Sequence, residues 1–169
     1  MNNEISLSDL GKIIETERFA LLRYACYRLG NKEDAEDAVH DCYLKLYKRF
    51  STQQDTMVVD LNHYVFRSLS NLCTTRLSVS LKTESVPLDE FDTPEVTSDV
   101  CDEEYQRVIG ILKDIPEEQA EVIRLRMYGN RSFAEISKIL QIPLPTVKSR
   151  FLYGLDKLRR RMKQTKSLL

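Results

Sequence analysis

Residues 132–161 decide the fold. They read Ser132-Phe-Ala-Glu135-Ile-Ser-Lys-Ile-Leu140, then Gln141-Ile-Pro143, then Leu144-Pro-Thr146-Val-Lys-Ser-Arg150-Phe-Leu-Tyr-Gly-Leu155-Asp-Lys-Leu-Arg-Arg-Arg161. Ser132 and Glu135 have the spacing of a capping box, in which each side chain bonds the other residue's backbone N–H, so a helix starts at this point. Ile136, Ile139 and Leu140 give that helix one apolar face. A break of about three residues follows, and then a longer, basic helix in which Val147, Phe151, Leu155 and Leu158 recur at helical spacing and pack inward. Lys148, Ser149, Leu152 and Tyr153 are left outward, with Arg150 at the margin. A short capped helix, a tight break and a basic second helix make a helix-turn-helix, whose second helix enters the major groove of DNA. The outward residue types suit that task, because Lys and Arg neutralise phosphates, Ser bonds phosphates or base edges, and Leu and Tyr meet thymine methyls or sugars. Pro145 disfavours the helical region for the residue before it, so Leu144 is expected outside the helix.

Charge supports a nucleic-acid partner for this end of the chain. The net charge of −1 conceals 14 basic and 6 acidic residues in 105–169, 1 and 9 in 82–104, and 10 and 11 in 1–81. Two modules with different partners are therefore expected, the second one facing a polyanion. Residues 82–104, with Pro87, Pro94 and no sustained periodicity, read as an extended acidic linker.

The first module reads as three helices. Ala35, Ala38, Val39, Cys42, Tyr43, Leu46, Tyr47 and Phe50 lie on one helical stripe. Gly30 is placed to end the preceding helix, Asn31 to cap this one, and Asp60 to cap a third through Tyr64, Val65, Leu69, Leu72 and Leu77. Four helices are expected from about Cys101 onward, one of them opening at Pro116. With only 5 Gly and 5 Pro in 169 residues, where average usage gives roughly 20, a turn-rich β fold is excluded. The fold class is all-α, two small helical domains joined by the linker.

Composition narrows the function. Four dispersed cysteines without a C-x-x-C pair, and a start without a basic-then-apolar segment, point to the cytoplasm and to core thiols. No nucleophile–base pair, phosphate-binding glycine loop or ligand cluster is present in the sequence. Neither His40 nor His63 has a second ligand at workable spacing. An enzyme, a cofactor, a metal site and membrane insertion are therefore not expected. A stand-alone helix-turn-helix regulator remains open at this level.

The residues also carry a resemblance. Ile111-Leu-Lys-Asp-Ile-Pro-Glu-Glu-Gln-Ala-Glu-Val-Ile-Arg-Leu-Arg-Met-Tyr-Gly129, followed by Ser132-Phe-Ala-Glu-Ile-Ser-Lys-Ile-Leu140 and Thr146-Val-Lys-Ser-Arg150, resembles region 4 of the extracytoplasmic-function sigma factors of bacterial RNA polymerase. Asp34-Ala-Glu-Asp-Ala-Val-His-Asp-Cys-Tyr-Leu-Lys-Leu-Tyr47 resembles region 2.2, and Tyr64-Val-Phe-Arg-Ser-Leu-Ser-Asn-Leu72 resembles regions 2.3 and 2.4. The resemblance implies a sigma factor that binds core polymerase and directs it to promoters. Its partners would be the β′ clamp and β flap of the core enzyme, promoter DNA and an anti-sigma factor. Residues 1–81 would be the region 2 module, and 105–169 the region 4 module.

Roles follow by position. Asp37, His40, Asp41, Tyr43 and Tyr47 are implied to bind core polymerase. Arg67, Asn71 and Thr75 are implied to face the melted promoter element, and the loop from Ser51 to Asp60 to receive a flipped base. Thr146, Lys148, Ser149, Arg150, Leu152 and Tyr153 are implied to read the upstream element. Because no Lys or Arg lies between Arg49 and Arg67, the melted-strand surface is expected to be poorly basic. A polymerase adaptor that does not melt promoters is a second alternative on that ground.

Overall fold

Helix boundaries follow from local chemistry in a computed structural model that describes residues 6–52, 60–83 and 101–167. α1 (Leu7–Leu29) begins at a capping box of Ser6 and Asp9 and ends where Gly30 takes a φ of 90°. Only glycine adopts that conformation without strain. The Asn31 side chain accepts from the Asp34 N–H at 2.7 Å and so opens α2 (Lys32–Thr52). Asp60 accepts from the His63 N–H at 3.1 Å and opens α3 (Leu61–Thr83). α4 (Cys101–Lys113), α5 (Glu117–Met127), α6 (Phe133–Leu140) and α7 (Leu144–Ser167) complete an all-α fold among the described residues.

Two sequence expectations shift by one position. Pro116 is the N-cap of α5 rather than its first helical residue. Leu144 lies inside α7 as its first residue, with Pro143 before it accepting from the Val147 N–H at 3.1 Å. Pro145 is tolerated there because the first-turn N–H groups have no helical partner, so its missing donor costs no bond. Of the expected linker, residues 82–83 close α3 and 101–104 open α4, and the remainder lies outside the described residues.

The two halves are not held apart. One continuous apolar cluster joins Leu10, Leu21, Tyr24 and Ala25 of α1, Ala35 to Leu46 of α2, and Val65, Phe66 and Leu69 of α3 to Val122, Leu125, Ile136, Ile139 and Val147 of the second half. A smaller cluster within the second half, Ile111, Leu112, Ile115, Ala120, Ile123 and Leu158, receives Tyr27 from α1. Tyr27 stacks on Tyr128 with ring centroids 3.4 Å apart. Cys42 and Cys73 are buried in the first-half core, where burial pushes both thiols up to about 12, and Cys26 is half-buried. Such thiols behave as small apolar groups rather than nucleophiles. Among the described residues, no helix is long and apolar enough to cross a membrane.

Candidate nucleic-acid interface

The capping box opens the helix-turn-helix as the sequence requires. Ser132 Oγ accepts from the Glu135 N–H at 3.2 Å, and Glu135 Oε2 accepts from the Ser132 N–H at 2.7 Å. Burial opposes the Glu135 charge, but these bonds and the nearby Arg131 and His63 outweigh it and hold the carboxyl below its usual range. α6 ends at Gln141, which adopts a left-handed φ of 56°. That single residue, with Ile142 and Pro143, makes the turn.

α7 then presents two faces. Val147 and Leu158 are buried, and Phe151 and Leu155 are half-buried. Phe133 of α6 meets Phe151 edge-on at 5.1 Å, beside the buried Ile136, Ile139 and Val147 of the same two helices. Lys148, Ser149, Leu152 and Tyr153 point to solvent, with Leu152 and Tyr153 about two thirds exposed. Thr146 is half-buried, and Arg150 is half-buried with its guanidinium 3.4 Å from Glu118.

Gly154, which breaks the outward pattern, has a packing reason. A Cβ there would lie 2.8 Å from Ile123 Cδ1 and 3.0 Å from Gln119 Cβ on α5. Ile123 is fully buried and has little room to yield. Helix propensity gains up to about 1 kcal/mol from replacing glycine, while overpacking costs about 1–3 kcal/mol. With a branched side chain overpacking wins, so Gly154→Val is expected to lower unfolding free energy by about 2 kcal/mol in urea titration. A neutral or stabilising result would show that α5 and α7 are not in close contact.

Arg67, Asn71 and Thr75 line one groove of about 570 Å³ between α2 and α3. Lys45 and Arg49 of α2 line the same groove, so the surface is more basic than the sequence of α3 alone indicates. Arg49 also lies over the Tyr64 ring, 5.5 Å from its centroid. Lys45 and Arg49 went unmarked because their contribution depends on α2 packing beside α3, although their i, i+4 spacing on one helix edge was visible. The segment expected to receive a flipped base lies, from residue 53 to 59, outside the described residues.

The five α2 positions fall on two edges of an outward ridge. His40 and Tyr43 line a groove of about 580 Å³ against α1, with Gly11, Ile14 and Arg18. Asp37 and Asp41 instead engage Arg76 of α3, the former at 3.2 Å. Tyr47 is exposed, although it belongs to the apolar stripe, and Tyr43 is half-buried. Between the two edges lies Leu44, which is 49% exposed and was not anticipated.

Comparison with known proteins agrees with this arrangement. A Sigma-70 region 2 model matches residues 13–79, and a Sigma-70, region 4 model matches residues 111–160. The RNA polymerase sigma-E factor of Streptomyces coelicolor is 28% identical over 159 residues, covering 89% of this chain and 87% of that protein. Two solved structures share the fold. The sigma factor RpoE, in complex with the anti-sigma factor NepR from Bartonella quintana, has a TM-score of 0.68 at 19% identity, covering 92% of this chain and 98% of that one. CnrH, in complex with the cytosolic domain of CnrY, has a TM-score of 0.69 at 17% identity, covering 94% and 90%. With both family models matched in chain order over more than two thirds of its length, the chain belongs to the sigma-70 family of RNA polymerase sigma factors, in the two-module form of the extracytoplasmic-function members.

Proposed function

We propose that this sigma factor reads the upstream promoter element with the outward face of α7 and holds the melted strand in the α2/α3 groove. Thr146, Lys148, Ser149, Arg150, Leu152 and Tyr153 form the first surface. Arg67, Asn71 and Thr75, joined by Lys45 and Arg49, form the second. The outward ridge of α2, with Asp37, His40, Asp41, Tyr43 and Tyr47, contacts the β′ clamp, and the region 4 module contacts the β flap. The domain division is residues 1–81, an acidic linker 82–104, and 105–169. The chain contributes no catalytic step, because the polymerase performs the chemistry. The expected cellular site is the cytoplasm. Because the two structural neighbours are complexes with an anti-sigma factor or a cytosolic partner domain, we also propose an anti-sigma partner for this chain.

The observation that carries the reading is the solvent-facing row of Lys148, Ser149, Leu152 and Tyr153 on a packed, capped helix-turn-helix. Run-off transcription from a genomic promoter library with purified core enzyme tests it. Specific initiation only when the chain is added is expected. Nanomolar binding to duplex DNA by the isolated chain, without stimulation of core enzyme, would favour a stand-alone regulator. Lys148→Ala is expected to weaken binding of the holoenzyme to the upstream element and to reduce the slope of log affinity against log salt by about one charge. An unchanged slope would remove Lys148 from the DNA surface.

A further inference from the structure

We propose that the groove between the α4–α5 turn and the second half of α7 is a docking site for an acidic peptide segment of a partner protein, separate from the α7 face assigned to promoter DNA.

α7 is longer than its DNA task requires. Its 24 residues span about 36 Å at a rise of 1.5 Å per residue, well beyond the roughly 12 Å width of a major groove. The residues assigned to the upstream element all lie before Gly154. Beyond it the helix carries Lys157, Arg159, Arg160, Arg161, Lys163 and Lys166 against Asp156 alone, and all of these side chains are exposed. Like charges at i, i+3 and i, i+4 repel one another on a helix, so the fold gains nothing from Lys157, Arg160 and Arg161 standing together.

Those three cations share one groove. Lys157, Arg160, Arg161 and Gln164 fall at i, i+3, i+4 and i+7 on α7, and with Asp114, Ile115 and Pro116 they line a volume of about 430 Å³. Among the described residues, Arg160 pairs with Asp156 at 2.9 Å, and no acid pairs with Lys157 or Arg161. Both members of the Arg160 pair are more than half exposed, so it yields readily to a competing carboxylate. The opposite wall is firm, because Ile115 is buried with Leu112, Ala120 and Ile123.

The mixed lining selects a peptide over a nucleic acid. A duplex backbone offers the groove only phosphates, which Asp114 repels, and its convex surface leaves Ile115 and Pro116 uncovered. An acidic peptide brings carboxylates for the three cations, N–H donors for Asp114 and Gln164, and an apolar side chain for the Ile115–Pro116 wall. Arg161 lies about 18 Å along the helix axis from Ser149, so a segment docked here leaves the DNA face free and both sites fill together. The docking site stands whether or not that face is the one that reads the promoter.

Fluorescence anisotropy on the full chain at physiological salt tests the site, with a fluorescein-labelled peptide of repeated Glu-Asp-Leu as the probe. Wild type is expected to bind it, and Arg160→Glu with Arg161→Glu is expected to weaken binding by more than tenfold. Arg159→Glu with Lys163→Glu makes the same change in net charge on the same helix but outside the groove, and is expected to change binding by less than twofold. Circular dichroism checks that helical content is kept. Should the first variant lose helix, Arg160→Gln with Arg161→Gln decides instead, with a several-fold loss expected. No binding by wild type overturns the docking site, and so do equal losses in the two charge-reversed variants, which would show only general attraction between opposite charges. If an unlabelled random-sequence duplex displaces the peptide, and its own affinity falls in the Arg160/Arg161 variant alone, the groove belongs to DNA phosphates and the peptide site is overturned.

Discussion

Asp41→Arg is expected to reduce capture of core RNA polymerase by more than tenfold while leaving the helical content intact. Reversing a charge at a complementary contact costs several kcal/mol of association, which is ample for that loss. The same substitution has an internal consequence, because Asp41 and Asp37 both engage Arg76. Asp41 is about half exposed and Asp37 about two thirds, so this is a surface cluster worth at most about 1 kcal/mol. A modest fall in thermal midpoint is expected, too small to unfold the module. The i, i+4 acids on α2 had no evident structural use in the sequence, and Arg76 supplies one. The double variant Asp41→Arg with Arg76→Asp separates the two roles. It rebuilds an internal ion pair but leaves a cation on the outward ridge, so core capture should stay lost. Recovery of capture in the double variant would mean that the acids serve Arg76 alone and that the polymerase contact lies elsewhere.

How much of this was legible in the sequence depended on how far apart the interacting residues lie. The stripe from Ala35 to Phe50 required only helical periodicity, and its members are buried or half-buried except Tyr47. The capping box of Ser132 and Glu135 and the chain reversal at Gly30 are local, and both formed as the residue types dictate. The outward face of α7 followed from four inward apolar residues. The shared core and its polar seam were not legible, because Tyr24 and Glu121 are 97 positions apart and no local rule joins them. One signal was available. Arg124 interrupts the apolar run Val122-Ile123-Arg124-Leu125, and a charge in such a run needs an acid beside it, which the buried Glu121 and the exposed Glu117 provide. The basic character of the α2/α3 groove was underestimated for a similar reason, since Lys45 and Arg49 reach it from the neighbouring helix. That correction weakens the case for an adaptor that does not hold the melted strand.

Glu121→Ala is expected to be the most destabilising single substitution at the seam, and the form of its effect is as informative as its size. Removing one member of a buried charge cluster typically costs about 3–5 kcal/mol, because the partner charge stays buried without compensation. Here Arg124 and Arg28 would lose Glu121 but keep Glu117 at the rim, so the loss should fall at the lower end, about 3 kcal/mol. Tyr24 Oη and Ser70 Oγ would lose their shared acceptor as well. The part of this penalty that belongs to the closed arrangement comes from Tyr24, Ser70 and Arg28, which meet Glu121 from the other half, whereas the Arg124 pair lies within α5. Wild type, with one apolar cluster running through both halves, is expected to unfold in a single cooperative urea transition. In Glu121→Ala the seam should fail before either half does. The transition is then expected to split, with a first step of low m-value for the small surface exposed on separation. A single transition with an unchanged midpoint would show that the halves do not depend on Glu121 for their contact, and that the apolar packing beside it holds the seam alone.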